Sequence, residues 1–240
     1  MKTLPQFLKK YFWDVDFSKL DKKIYGSFII DRILEEGDEK KKTKANLEIL
    51  TKEAVLKNFY LAGGTGAALQ LKHRVSLDLS FFTKEDIDTK TLIQKIKTLG
   101  KFSIERETEN TLIGIFNGTR VSFLKYDYPL LFDLKQIKGT KIADLRDIGC
   151  MKIDAISSRG MKRDFIDLFF ICKELISLNN LLSLFKRKYK SVNYNMIHIL
   201  KSLAYFEDAE NNPMPKMVVS VSWQEVKNFF KEEIRKIDNK

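Results

Sequence analysis

The chain contains few of the residues that build metal centres and disulfide frameworks. Its 240 residues include two cysteines and two histidines. Cys150 and Cys172 are too few and too far apart for a zinc site, and both lie in apolar helical segments. We therefore expect buried thiols in a reducing compartment. His73 is expected to support a turn by hydrogen bonding, and His198 is expected to be a core or partly buried histidine. No Ser-His-Asp arrangement is indicated.

Long apolar runs are absent as well. No segment approaches about 18 consecutive uncharged apolar residues, the length needed to cross a membrane. The N-terminal residues carry no apolar region of the kind found in signal peptides. We find no internal repeat and no low-complexity tract beyond the charged run from Glu35 to Lys44. These absences predict a soluble, cytoplasmic protein that has no membrane partner.

The composition is that of a folded, basic protein. Apolar residues make up 44% of the chain and include 18 phenylalanines, which provide ample material for a buried core. The length suits one large domain or two small domains. Lysine and arginine number 43 against 32 acidic residues, which gives a net charge of +11. This excess favours polyanionic partners, although a lysine-rich proteome would produce the same composition.

Apolar periodicity and turn residues predict an α+β fold. Helices are predicted at residues 4–12, 22–34 and 44–57, with a charged, solvated loop at residues 35–42. Strands are predicted from Tyr60 onward and at residues 77–82, 101–107, 111–116 and 119–126. Asn117-Gly118 predicts a type I′ hairpin turn between the last two of these strands.

The sequence after residue 143 is almost entirely helical. Helices are predicted at residues 144–158, 162–175, 178–188 and 194–206, and from residue 222 onward. We therefore predict an α/β domain with the N-terminal helices at residues 1–143 and a helical bundle at residues 144–240. The basic helices at the start of the bundle are expected to line a cleft that the bundle forms with the sheet.

The segment from Phe59 to Phe82 is the most informative part of the chain. An apolar strand leads into Gly63-Gly64-Thr65, a short apolar helix follows, and a second strand brings Asp78 back beside the glycines. A glycine turn at the start of a helix exposes backbone N–H groups that bind phosphate oxygens. A neighbouring carboxylate can bind the divalent cation that phosphates carry. The pattern predicts a nucleoside triphosphate site, whereas the glycines alone fit an ordinary tight turn equally well.

The strand that carries Asp78 alternates polar and apolar residues. Side chains at every second position of a strand share a face, so Ser76, Asp78 and Ser80 lie together. A half-exposed strand would show the same alternation. The placement favours function, because this polar face points to where the glycine turn must lie.

These residues resemble the first motif of the AbiEii-type nucleotidyltransferases, a branch of the DNA polymerase β-like superfamily. The matching positions are Gly63, Gly64, Thr65, His73, Arg74, Ser76, Asp78, Phe81 and Phe82. A second match lies at residues 152–168, which resemble the family's pair of helices rich in lysine and arginine. A third lies at residues 217–230, and the resemblance as a whole covers about residues 40–230.

The resemblance implies a particular fold and activity. The fold would be a nucleotidyltransferase-like mixed β-sheet with flanking helices, followed by a helical bundle. The activity would be Mg²⁺-dependent transfer of a nucleotidyl group from a nucleoside triphosphate to an acceptor hydroxyl, with RNA as a candidate acceptor. A toxin-like or phage-defence role, and an antitoxin protein as a partner, follow from the same resemblance.

The resemblance also implies roles for individual residues. Asp78 would bind the metal, and Lys152 would act with it in catalysis. The residues expected to bind the nucleotide are Gly63, Gly64, Thr65, Arg74, Ser76, Ser80, Lys152 and Arg159. Lys152 and Arg159 would neutralise the triphosphate, although cations near a helix end are also stabilising in themselves, by about 0.3–1 kcal/mol. Asp164 and Asp167 match the family's aspartates, and we expect them to position those cations.

The chain departs from the family pattern at two carboxylates. Ser80 stands where a second acid is expected, and the strand at residues 119–126 contains no acid that could serve as the third. The nearest candidates are Asp127 and Asp133. A non-catalytic module that binds nucleotide or nucleic acid therefore remains an alternative to an enzyme. A helical protein-interaction domain on an inert sheet is a further alternative.

A basic segment near residue 188 is a candidate nucleic-acid contact. Its cations are Lys186, Arg187, Lys188 and Lys190, and no acidic residue occurs between Leu175 and Phe206. The interleaved aromatic residues Phe185, Tyr189 and Tyr194 would suit base stacking. A helix end with core aromatics and lysines near its C-terminus would produce the same pattern.

Overall fold

The computed structural model describes residues 25–52, 54–137 and 139–238. Contacts divide the chain into two compact units, Met1–Lys41 and Lys42–Lys240. The helix predicted at residues 4–12 lies outside the described residues. Within them, no single helix is both long and apolar enough to cross a membrane, although the bent pair Lys162–Glu174 and Leu178–Lys188 together have the length and composition of a broken span.

The first described element is helix α1, Tyr25–Lys52. The loop predicted at residues 35–42 is wrong, because α1 runs through it without interruption. Glutamate and lysine are good helix formers, so a charged run can continue a helix when one glycine is its only weak point. Ion pairs one turn apart, Lys41 with Asp38 at 3.5 Å and Lys44 with Glu48 at 3.9 Å, support it. A short 3₁₀ turn, Ala54–Leu56, follows.

Seven strands form one mixed sheet. They are β1 Tyr60–Leu61, β2 Leu79–Thr83, β3 Phe102–Thr108, β4 Thr111–Phe116, β5 Thr119–Lys125, β6 Lys135–Ile137 and β7 Thr140–Ile142. Their order across the sheet is β3-β4-β5-β2-β1-β7-β6. The pairs β1–β7 and β2–β5 are parallel, and the other neighbouring pairs are antiparallel.

Hairpins join β4 to β5 within the sheet and β6 to β7 at one edge. The turn predicted at Asn117-Gly118 is confirmed, since both residues have positive φ, 44° and 76°, and Phe116 pairs with Thr119. The β6–β7 hairpin was not predicted. Its strands have only three residues each and show no clear alternation, and its turn contains Gly139 at φ 80°.

Eight further helices occur among the described residues. They are α2 Gly63–Leu71, α3 Thr89–Leu99, α4 Leu145–Arg159, α5 Lys162–Glu174, α6 Leu178–Lys188, α7 Met196–Ala204, α8 Glu207–Glu210 and α9 Trp223–Asp238. Helices α4 to α7 and α9 lie within two residues of their predicted bounds wherever a bound was given. The predicted α+β architecture is confirmed.

Each face of the sheet carries its own hydrophobic cluster. On one face, Leu61, Phe81 and Phe123 are buried together with Ile96 of α3. On the other face, α2 and helices α4 to α7 and α9 pack around buried residues such as Ala67, Ile148 and Phe165.

The second cluster continues across the predicted domain boundary at residues 143 and 144. Ala143 and Leu145 both belong to it, as does Ala62 at the end of β1. The sheet and the C-terminal helices accordingly lie in one compact unit, Lys42–Lys240. Their shared core fixes α2 against α4: a β-carbon on Gly66 would lie only 3.1 Å from a methyl carbon of Ile148.

Candidate functional site

The glycine turn between β1 and α2 exposes backbone N–H groups. Gly63 has φ +64°, a conformation that glycine adopts without strain. Ala62 precedes the helix and supplies no side-chain cap, and the first intrahelical bond runs from Gly66 N to Ala62 O at 3.2 Å. The amides of Gly63, Gly64 and Thr65 therefore have no partner within the described chain. They lie at the positive end of the helix dipole, a ready site for an anion.

The structure brings Asp78 next to this turn, as predicted from the sequence. Ala62 N donates to Ser80 O at 3.1 Å, which holds β2 alongside the turn. The Thr65 hydroxyl donates to the backbone oxygen of Asp78 and lies 2.9 Å from the Ser76 hydroxyl. Because that hydroxyl is engaged, Thr65 offers a phosphate its backbone amide only. The Asp78 side chain is exposed and forms no hydrogen bond or ion pair with any described residue.

Arg74 packs directly against the glycine turn. Its guanidinium donates to both oxygens of Asp167, with Nε–Oδ1 2.6 Å and Nη2–Oδ2 2.8 Å. A β-carbon on Gly64 would lie 2.5 Å from Arg74 Nη2, so only glycine leaves room for the guanidinium. Burial on its own would lower the pKa of Arg74, but the hydrogen bonds and charge of Asp167 outweigh burial and raise it.

A short backbone pairing holds the loop that carries Arg74. Arg74 forms an isolated antiparallel bridge with Met217. Val75 N donates to Lys216 O at 2.8 Å, and Val218 N donates to His73 O at 2.8 Å. The segment between α8 and α9 therefore acts as a strap across residues 73–75.

Two fully buried carboxylates organise the cations beside the turn. Lys152 Nζ lies 2.7 Å from Asp164 Oδ1 and 2.6 Å from Asp167 Oδ2. Arg159 donates to Asp164 through Nε at 2.9 Å and Nη2 at 3.1 Å. Burial would raise the pKa of both aspartates, but the ammonium of Lys152 and the neighbouring guanidinium groups outweigh it and lower the pKa of each. His73 Nε2 adds a contact of 2.8 Å to Asp167 Oδ1.

This charge cluster has an excess of one positive charge. Three cations, Arg74, Lys152 and Arg159, face the two carboxylates, leaving His73 out of the count. The Lys152 side chain is only 5% exposed and its ammonium is held between the aspartates, so it acts on a ligand through its charge. The Arg159 side chain is 51% exposed and is the member of the cluster that reaches solvent.

Strands β2 and β5 carry serine hydroxyls at the positions where the sequence comparison expected carboxylates. In the parallel β2–β5 pair, Ser80 is in register with Ser122. Asp127 lies beyond the end of β5, where its exposed carboxylate is 3.5 Å from the ammonium of Lys125, and Asp133 is exposed in the following loop. Ser122 was missed in the sequence. Two features of the sequence could have indicated it. Ser122 is a polar residue in the middle of an apolar strand, and the Asn117-Gly118 turn fixes the register of that strand.

The described side chains near the turn could bind a divalent cation together with a phosphate ligand, but they could not hold a metal ion by themselves. No group of three or more His, Cys, Asp or Glu side chains in the described part of the chain could hold a metal ion. Asp164 and Asp167 are already paired with cations, whereas the Asp78 carboxylate has no hydrogen bond or ion pair with any described residue. One or two carboxylates with substrate phosphates are the usual ligands of Mg²⁺, so Asp78 fits this arrangement.

The basic segment at the end of α6 differs from its prediction. Lys188 is fully buried, and its ammonium donates to Pro129 O at 2.6 Å and Asp147 Oδ1 at 2.8 Å. The prediction that Lys188 contacts nucleic acid is therefore wrong. Phe185 and Tyr189 are buried as well, so they cannot stack on bases. The exposed cations of the segment are Lys186, Arg187 and Lys190.

Comparisons with known proteins connect this geometry to a fold. JHP933 from Helicobacter pylori is 16% identical with a TM-score of 0.47, covering 84% of this chain and 93% of that protein. MenT4, a nucleotidyltransferase toxin from Mycobacterium tuberculosis, is 13% identical with a TM-score of 0.54, covering 82% of this chain and 84% of that protein. The match to MenT4 shows that the chain has a nucleotidyltransferase-like fold.

Sequence comparison identifies relatives of unknown function. Residues 7–47 match a family described as a family of unknown function, DUF6922. The uncharacterized protein aq_aa25 of Aquifex aeolicus is 36% identical over 201 residues, which cover 82% of this chain and 96% of that protein. The chain therefore belongs to the same family as aq_aa25 of Aquifex aeolicus.

Proposed function

We propose that this protein binds a nucleoside triphosphate at the glycine turn and transfers a nucleotidyl group to an acceptor hydroxyl, as an AbiEii-type nucleotidyltransferase. One observation carries the proposal. The free amides of residues 63–65 lie beside the segment that carries Asp78, because the Thr65 hydroxyl bonds the backbone oxygen of Asp78. The Asp78 carboxylate, which has no hydrogen bond or ion pair with any described residue, is close enough to Arg74 beneath Gly64 to raise the pKa of that guanidinium. A cation-loaded phosphate chain needs both kinds of group within reach of each other.

The surrounding charges suit a polyanion. The helix end contributes partial positive charge, worth about 0.3–1 kcal/mol toward an anion at an exposed site and up to about 2 kcal/mol when partly buried. The surplus positive charge of the cluster adds to it. Arg159 would contact a phosphate oxygen directly, since its side chain is 51% exposed, whereas Arg74 would contribute from beneath Gly64.

Asp78 would hold a magnesium ion together with phosphate oxygens. Such an ion, when bound, neutralises charge on the triphosphate and on the leaving pyrophosphate. Ser76 and Ser80 carry neutral hydroxyls, which are weak metal ligands, so they would serve to orient the nucleotide by hydrogen bonds.

The acceptor and biological role are proposed from the AbiEii resemblance. RNA would be the acceptor, and the protein would act in the cytoplasm as a toxin-like or defence protein controlled by an antitoxin. The structural likeness to MenT4, a nucleotidyltransferase toxin, supports this role. The exposed cations Lys186, Arg187 and Lys190 would contact the RNA backbone.

A second function is favoured by the serine pair. Ser80 and Ser122 stand where carboxylates would complete a transferase site. A protein of this kind would bind the nucleotide without transferring it and would act as a regulatory module.

Incubation with labelled nucleoside triphosphates, Mg²⁺ and total RNA, alongside calorimetric nucleotide binding, tests both functions. Label on RNA that disappears in Asp78→Asn supports the transferase. Binding that depends on Asp78 without labelling supports the regulatory module. Asp127→Asn is the matched control, because its carboxylate is 75% exposed and paired only with Lys125. Absence of nucleotide binding to the unmodified protein overturns both.

A further inference from the structure

Two serines in register on neighbouring strands lie on the sheet face next to the glycine turn. A β-carbon on Gly63 would lie 3.7 Å from Ser80 Cβ and 3.8 Å from Ser80 Oγ, so this side chain faces the turn. Ser122 is the parallel register partner of Ser80. Residues in register on neighbouring strands point to the same face and lie about 5 Å apart. Ser80 and Ser122 therefore form a pair of hydroxyls beside Asp78.

Neither hydroxyl is used by the fold. No described residue hydrogen-bonds the side chain of Ser80 or of Ser122. Ser122 is 8% exposed, yet its hydroxyl is not among the buried polar atoms that lack a partner. Ser80 is half-buried and the Ser122 hydroxyl keeps some solvent access, so both hydroxyls can bind a ligand through their own donor and acceptor atoms.

Two cations at the distance used in phosphoryl transfer, about 3.5–4 Å, need bridging negative ligands. The face beside the turn offers one carboxylate, Asp78, and two neutral hydroxyls. The positive cluster of Arg74, Lys152 and Arg159 reaches the turn through Arg74, which lies against Gly64, and it disfavours additional positive charge there.

We infer that the site holds one divalent cation per chain, delivered with the triphosphate, and that Ser80 and Ser122 together exclude a second. This inference rests on the proposed nucleotide binding and specifies its metal content. Ser80→Asp alone adds a ligand to the same cation, because Asp78 and residue 80 are two positions apart on one strand. A second cation also requires an acid on β5, at position 122.

Equilibrium dialysis with Mn²⁺ and a non-hydrolysable triphosphate analogue counts metal and nucleotide retained per chain. We expect one Mn²⁺ ion per bound nucleotide for the unmodified protein and for Ser80→Asp. We expect two Mn²⁺ ions per bound nucleotide for Ser80→Asp/Ser122→Asp. Ser103→Asp is the control, since it adds a carboxylate to the exposed strand β3 of the same sheet. We expect its ratio to stay at one.

The possible results separate this inference from the proposed function. A ratio of two in the unmodified protein, with nucleotide bound, overturns the inference and leaves nucleotide binding intact. A ratio of two in Ser80→Asp alone overturns the role of Ser122. A ratio of one Mn²⁺ per nucleotide in the double variant, with an unchanged circular dichroism spectrum, also overturns the role of Ser122. Failure of the unmodified protein to retain any nucleotide overturns the proposed function itself.

Discussion

Asp167→Asn should destabilise the protein more than any surface substitution. The Asp167 carboxylate is fully buried and contacts Lys152 at 2.6 Å, Arg74 at 2.6 and 2.8 Å and His73 at 2.8 Å. Asparagine keeps the shape of the side chain and removes its charge. The buried cluster then holds three cations against one carboxylate, so its excess positive charge doubles.

The expected loss follows from leaving buried cations without their counter-charge. Removing one partner of a buried ion pair costs about 3–5 kcal/mol. For a unit of roughly 200 residues each kcal/mol lowers the melting temperature by about 2–4 °C, so the variant should melt about 6–20 °C lower. Asp127→Asn should change the free energy of unfolding by less than about 0.5 kcal/mol, because that carboxylate is exposed.

Urea denaturation followed by circular dichroism measures both variants, and a double-mutant cycle with Lys152→Met identifies the cause. Removing Lys152 as well restores the original charge excess. The double variant should therefore be at least about 1 kcal/mol more stable than the sum of the single losses predicts. A loss below about 1 kcal/mol for Asp167→Asn, or strict additivity in the cycle, would refute the reasoning.

Three further predictions concern pH, the turn and RNA. Because the pKa of Asp164 and Asp167 is lowered in the folded state, their stabilisation is complete above the unfolded value of about 3.9 and is lost as the pH falls toward the folded values. The free energy of unfolding of the native protein should therefore fall more steeply below about pH 4 than that of Asp167→Asn; parallel curves would contradict this. Gly64→Ala should weaken nucleotide binding at least about tenfold in calorimetry, because its β-carbon displaces Arg74; unchanged affinity would show that Arg74 can move away without cost. Lys186→Glu should weaken binding of total RNA and flatten its salt dependence in filter binding, and an unaltered salt slope would exclude this surface.

Local signals were enough to predict most of the sheet and the helices. The Asn117-Gly118 turn fixes the pairing of β4 with β5 through its own backbone conformation. Asp78 could be placed beside the glycines because only a nine-residue helix and a short return segment separate them. Both inferences depend on neighbours in sequence. The failure in α1 has the same origin, because a charged run was interpreted without weighing the helix propensity of glutamate and lysine.

Contacts between distant residues could not be predicted from spacing. The pair formed by Arg74 and Asp167 joins residues 93 positions apart, and no local pattern announces it. Lys188 is different. Leu181, Phe185 and Lys188 follow the three-and-four spacing of the buried face of α6, so the apolar period did contain its position. The charge of Lys188 nevertheless argued against burial, because a buried lysine requires a carboxylate partner. That partner, Asp147, lies on another helix and could not be identified from the spacing.

The strap across residues 73–75 makes the two ends of this unit interdependent. A polypeptide shortened to end before Lys216 would retain every strand and the glycine turn, yet the backbone partners of His73 and Val75 would be gone. Arg74 would keep its hydrogen bonds to Asp167 and to the backbone oxygen of Val75, but the loop that carries it would have lost its backbone pairing. The same truncation would remove α9 and with it Val226 and Phe230 from the second hydrophobic cluster, so fusion partners are best attached beyond α9.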